Sequence, residues 1–170
     1  MFAVVQNGEV RQILQLDVPF SVGDKHYSSN FLRTSSAQEK VEAGVWEIIE
    51  GQRPDDRFYW VSGPDYRVVE VNSTVEANYS GNPKDLDDLK KSNVAQAKAQ
   101  AGSQLAATDW MVIRKMERGV DLPADVAAFR AAVVAECSRL ETAMNGVASV
   151  EELISVIASQ NWPATGAANE

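Results

Sequence analysis

The chain has 170 residues, of which 45% are hydrophobic and 24% charged, and a formal net charge of −8. Residues 1–82 carry 7 Lys/Arg against 12 Asp/Glu and residues 83–170 carry 9 against 12, so both halves are acidic. That balance sets nucleic acid aside as a partner, because displacing phosphate counterions takes a basic footprint. A single cysteine, Cys137, excludes an intrachain disulfide and a multi-cysteine zinc site.

The length allows one domain or two small ones. The first residues lack the charged start and apolar run of a signal peptide. No stretch approaches the ~20 apolar residues of a membrane helix. Synthesis in a cytoplasm, with no membrane partner, is the expectation.

Residues 2–16 read as a hairpin around Asn7-Gly8, because a type I′ turn needs positive φ at both central positions. Pro19 stops the second strand. Phe20-Ser-Val22 and His26-Tyr27 flank a turn at Gly23-Asp24. Ser36-Ala-Gln-Glu39 is a capping box that opens a short helix, and Gly44 ends it. Val45 to Glu50 is a strand and 51–56 a loop. Arg57 to Val61 is an aromatic strand, Ser62-Gly-Pro-Asp65 a turn, and Tyr66–Val71 with Thr74–Tyr79 a second hairpin across Asn72-Ser73. Connections this short predict an antiparallel meander.

Ser80-Gly-Asn-Pro83 marks a boundary, with Asn82 as N-cap and Pro83 at the first helical position. Residues 84–118 hold no proline and one glycine, and predict one long helix, bent at Gly102 if anywhere. Its first part carries Leu86, Leu89 and Val94 on a polar, alanine-rich background. That reads as a solvated spacer or one strand of a coiled coil. Leu105, Trp110, Val112, Ile113 and Met116 form a broad apolar stripe up to Gly119. Asp121 to Asp125 starts the next helix, whose face is Val126, Phe129, Val133, Cys137, Leu140 and Met144. Asn145-Gly146 ends it. A second capping box, Ser149 to Glu152, opens a last helix faced by Val150, Leu153, Ile154 and Ile157. The stripes on 105–116, 126–144 and 150–157 predict an antiparallel bundle with Val133 and Leu140 at its centre.

The fold class is therefore α+β: a small antiparallel β-rich domain over 1–82, a linking helix over 83–104, a C-terminal helical bundle over 105–163 and a disordered tail over 164–170.

Little in the chain converges on chemistry. His26, the one histidine, lies in a turn-rich segment far from Cys137, and Cys137 lies on an apolar stripe as a small core residue. Asp55-Asp56 and Asp87-Asp88 are chain neighbours and point apart. Asp85 and Asp88 are explained by capping and the helix dipole. No glycine-rich phosphate loop, metal-spaced set or nucleotide fingerprint is present. The expectation is no catalytic residue, no cofactor and no metal. An enzyme would have to draw an acid–base pair from Glu50, Asp55 and Asp56.

Binding residues are easier to nominate. Arg57, Tyr59 and Trp60 are of the types that dominate interface energetics. Leu86 and Leu89 lack local apolar partners, which suggests a homo-oligomer or a second chain. Trp162, at the edge of the tail, either caps the bundle or anchors a partner.

These segments resemble bacteriophage tail proteins. Val4-Val-Gln-Asn-Gly-Glu-Val10, Pro19-Phe20, Tyr27-Ser-Ser-Asn-Phe-Leu-Arg33, Ser36 to Gly44 and Arg53-Pro-Asp-Asp-Arg-Phe-Tyr-Trp-Val61 look like small phage proteins encoded beside tail fibres. Leu105-Ala-Ala-Thr-Asp-Trp-Met-Val-Ile-Arg114, Glu117-Arg-Gly119, Leu122-Pro123, Phe129-Arg130 and Trp162-Pro163 look like the terminal module of tail fibre assembly and related tail proteins. The resemblance covers roughly residues 3–79 and 104–163. It implies a non-enzymatic protein of the virion tail, made in the host cytoplasm, that binds a tail fibre or other tail component. The role would be structural constituent or assembly factor. It brings no catalytic residues with it. A small infection-associated hydrolase is the alternative.

Overall fold

The computed structural model describes residues 1–164. The expected tail therefore falls, from residue 165 on, outside the described residues. Helices and strands are both present, as an α+β class requires, and the chain divides into two compact units, Met1–Asn82 and Pro83–Glu170.

Among the described residues, the first unit holds β1 (Phe2–Gln6), β2 (Glu9–Leu14), β3 (Phe20–Val22), β4 (Lys25–Tyr27), α1 (Phe31–Thr34), α2 (Ala37–Glu42), β5 (Val45–Glu50), β6 (Tyr59–Val69) and β7 (Thr74–Pro83). Five strands make one sheet in the order β2-β1-β5-β7-β6, and β3 pairs with β4 alone. The β1–β2 turn has Asn7 at φ 53° and Gly8 at φ 74°, the left-handed pair that a type I′ turn demands.

Strand alternation gives the sheet two buried faces. Ala3 and Val5 join Ile48, Val75 and Ala77 on one side. Val4 joins Leu14, Phe20, Leu32 and Val45 on the other. That second face is roofed by aromatics, with Phe20 stacked on Tyr27 at 5.1 Å and Phe31 edge-on to Phe20 at 5.8 Å. The Ser36–Glu39 capping box forms: Ser36 Oγ accepts from the Glu39 amide at 3.2 Å, and the Ser36 amide donates to Glu39 Oε2 at 2.7 Å. Gly44 follows at φ 74°, where a Cβ would lie 3.2 Å from the Val5 carbonyl.

Two expectations for this unit fail. The sheet is mixed, because β5 and β7 run parallel from Glu47↔Thr74 to Glu50↔Ala77. A short loop suffices here: residues 51–58 carry the chain past the place that β7 later fills, so an edge strand does the work of a crossover helix. Ser62 to Asp65 is also no turn, for β6 runs unbroken from Tyr59 to Val69. It is an edge strand, where the missing N–H of Pro64 need not be matched. Gly63, at φ 101°, lies so close to the Asn78 carbonyl that a Cβ would sit 2.7 Å from it.

The second unit holds α3 (Leu86–Ala106), α4 (Asp109–Arg118), α5 (Ala124–Gly146) and α6 (Val150–Ala158). Pro83 ends β7 rather than opening a helix. Asp85 is the cap, its carboxylate accepting from the Asp88 amide at 2.9 Å. The single helix expected over 84–118 breaks at Ala107-Thr108 and not at Gly102. Thr108 turns its hydroxyl back onto the Leu105 carbonyl at 3.0 Å.

The core is also made of different helices from those expected. Ala97 of α3 packs with Leu140 and Met144 of α5, with Val147 just beyond α5 and with Leu153 of α6, and Leu86, Leu89 and Val94 lie half-buried against them. The linking helix is thus a core helix, not a solvated spacer. Ala97 and Ala101 are buried because their small side chains let the α3 backbone lie close to α5. The stripe that was to bring α4 into a bundle contributes no buried side chain among the described residues. Val133 and Leu140 are fully buried, as expected. No described helix is long and apolar enough to cross a membrane.

Candidate interaction surface

Helix α4 is locally well specified. Asp109 sits in its first turn, Lys115 and Arg118 in its last, both favoured by the helix dipole. Gly119 at φ 67° closes it, donating to the Lys115 carbonyl at 2.9 Å. Arg130 of α5 pins its start: Nη1 donates to the Leu105 carbonyl at 2.9 Å and to Thr108 Oγ1 at 2.7 Å, and Nη2 meets Asp109 at 2.9 Å. Lys115 bonds Asp121 at 2.9 Å and holds that carboxyl below its ordinary range.

On this scaffold Trp110, Ile113 and Met116 recur every three residues along one face. They are 52%, 56% and 83% exposed. The Arg114 guanidinium lies over the Trp110 ring at 4.9 Å. A scattered exposed apolar residue needs no explanation, but a contiguous line of three large ones does.

The nominated binding residues fall into two groups. Arg57, Tyr59 and Trp60 are consecutive in the first unit. Arg57 braces its own loop: Nη2 bonds Asp55 at 2.6 Å, its amide donates to Asp55 Oδ1 at 2.9 Å, and the carboxylate raises the guanidinium pKa. It also covers the buried Phe58 ring at 5.3 Å. Tyr59 is half-buried with Pro54 over Gly81, where a Cβ would lie 2.9 Å from Pro54 and 3.3 Å from Tyr59. Trp60, 66% exposed, is the one of these three aromatic-end residues presented as a broad apolar surface.

Leu86, Leu89 and Trp162 are brought together, but inside the second unit's core cluster. Trp162 is held there by a device that sequence reading missed. Glu136, buried on α5, accepts from Arg139 Nε and Nη2 at 2.7 Å each and from the Asn161 amide at 2.8 Å. The Arg139 bonds foremost, with help from the Asn161 amide, hold its carboxyl below the usual range. Arg139 also caps the Ser159 carbonyl at 3.1 Å, and Trp162 Nε1 donates to Gln160 at 2.9 Å. Only the i,i+3 Glu-Arg spacing on α5 hinted at this.

The carboxylates weighed for chemistry each engage another side chain. Glu50 accepts from the Tyr79 phenol at 3.0 Å and pushes it up, Asp55 is taken by Arg57, and Asp56 lies 3.5 Å from Arg53. Ser21 Oγ and His26 Nδ1 share an exposed hydrogen bond of 2.7 Å. Cys137 is half-buried. Among the described residues no group of three or more His, Cys, Asp or Glu could hold a metal. The chain matches no protein-family model, no curated protein and no solved structure.

Proposed function

We propose that this chain is a non-enzymatic protein of a phage tail that binds a tail fibre or another tail component, as a constituent of the virion tail or as its assembly factor. The observation that carries an interaction role is the α4 face. Trp110, Ile113 and Met116 are aligned as a core stripe would be, yet they stay exposed in a chain that already has a separate helical core. A second chain that covers them removes about 25 cal/mol of unfavourable hydration per Å² of apolar surface buried. The scattered residue pattern described above supplies the tail context. Trp60 on the β6 edge offers a second, smaller contact in the first unit.

Mass spectrometry of purified virions and co-purification from infected cells test the reading. The chain should appear in tails or in fibre complexes, and Met116→Glu should weaken its capture. Absence from both fractions would sink the proposal.

A further inference from the structure

We propose that the junction between α3 and α4 is a two-state hinge held bent by Arg130: with the Arg130 bonds in place the chain turns at Thr108, and without them α3 and α4 run on as one helix over residues 86–118. The hinge sets the direction in which Trp110, Ile113 and Met116 are presented. It stands apart from whether that face binds a tail component.

The residues at the bend are helix formers. Leu105-Ala-Ala-Thr-Asp-Trp110 contains no proline and no glycine, and alanine has the highest helix propensity of any residue. Gly102, the weak point of the stretch, lies inside α3 and interrupts nothing. Ala107 keeps helical backbone angles, φ −61° and ψ −22°, so the departure is confined to Thr108 at φ −113° and ψ 1°. Rotations of roughly 40–50° at this one residue restore the helical values.

What keeps the bend is a contact from another helix. In a continuous helix the Leu105 carbonyl accepts from the Asp109 amide, four residues on. Here it accepts from the Thr108 amide at 3.0 Å, the Thr108 hydroxyl at 3.0 Å and Arg130 Nη1 at 2.9 Å. The same Nη1 donates to Thr108 Oγ1 at 2.7 Å, and Nη2 pairs with Asp109 at 2.9 Å. One guanidinium therefore bonds the last turn of α3, the residue at the bend and the first turn of α4. The Arg130 side chain is 19% exposed and Thr108 is buried, so water competes weakly for these bonds.

The straight form is sterically open to the chain. Lys98 bonds Glu141 at 2.6 Å and Leu105 bonds Arg130, so α3 and α5 run antiparallel. α3 packs along α5 and α4 does not, and α4 buries no side chain that would hold it where it is. On a straightened helix Ala124 lies opposite a point about six residues past the Arg130 contact, and the return from Arg118 to Ala124 needs about 10–14 Å. Residues 119–123 reach about 16 Å when extended. The Lys115–Asp121 pair given up on straightening is exposed, and such pairs contribute little.

Spin labels at Gln96→Cys on α3 and Glu117→Cys on α4, both exposed, read the hinge in the full chain on a Cys137→Ser background. One continuous helix separates the two positions by roughly 32 Å along its axis. The parent should give a shorter distance by double electron–electron resonance. Arg130→Met should move the distribution to the longer one with far-UV ellipticity unchanged or slightly raised. Thr108→Ala with Asp109→Ala removes two partners of the guanidinium and leaves Arg130 itself; it should move the distance the same way, and it decides the matter if Arg130→Met does not fold. A folded variant that keeps the parent's distance overturns the hinge. A broad distribution with ellipticity reduced by the ten residues of α4 also overturns it, because Arg130 would then hold α4 folded rather than bent.

Discussion

Helices α3 and α4 are adjacent in the chain and invert what their side chains advertise. α3 is polar and alanine-rich, and it forms one wall of the core. α4 carries tryptophan, isoleucine and methionine in line, and it buries none of them among the described residues. The difference teaches that burial follows how close two backbones can come, and not how large the apolar groups are. Alanine at positions 97 and 101 is buried on α3, and Ala97 packs with Leu140 and Met144 of α5.

The sharpest way to break the comparison is to strike its buried side. Leu140 is fully buried among α3, α5 and α6 residues, so Leu140→Ala should cost about 2–5 kcal/mol through lost contacts and a cavity. Denaturant unfolding of the full chain measures it. A loss below ~1 kcal/mol would mean that the α3–α5 contact is not the core.

Ala97→Leu attacks the close approach itself. Three added heavy atoms must fit where α3 meets α5, which should cost about 1–3 kcal/mol. The same change at exposed Gly102, whose Cβ would meet nothing within 4 Å, should be neutral or stabilising. Equal costs at both positions would remove the special role given to the small residue at 97.

Glu136→Gln tests the clamp that seats Trp162 on this core, at about 1–3 kcal/mol for weakening a buried charged hydrogen-bond set. The folded carboxyl lies below its ordinary 4.5, so its contribution is present above that value and lost as pH falls through the lowered one. Melting curves of native chain and variant should therefore differ at neutral pH and converge in acid. Parallel curves across that range would assign the stability elsewhere.

Local signals are legible in the sequence where the chain decides its own conformation. The Asn7-Gly8 turn, the Ser36–Glu39 box and the stop at Gly119 follow from φ preference and capping alone. What was lost depends on distant partners. Gly63-Pro64 signals a turn in isolation, yet an edge strand beside β7 absorbs it. The break at Thr108 is fixed by Arg130, 22 residues on. Leu86 and Leu89 looked exposed because their partners, Leu140 and Leu153, are contributed by α5 and α6. The run Arg57-Phe-Tyr-Trp60 keeps Trp60 at the surface, whereas Trp110, Ile113 and Met116 read as core residues in the sequence because a stripe alone does not say what it packs against.

The smallest expected effect decides which side of the comparison α4 belongs to. Met116 is 83% exposed and lies outside the core cluster. Truncating it to Ser removes little buried surface, and replacements at such positions fall within about ±0.5 kcal/mol. Serine is a poorer helix former than methionine, which costs a few tenths of a kcal/mol more. Thermal unfolding of the dilute full chain should therefore place Met116→Ser within a degree or two of the parent, given the ~2–4 °C that 1 kcal/mol moves a chain of this size. A drop as large as that of Leu140→Ala would mean that Met116 is covered within the single chain.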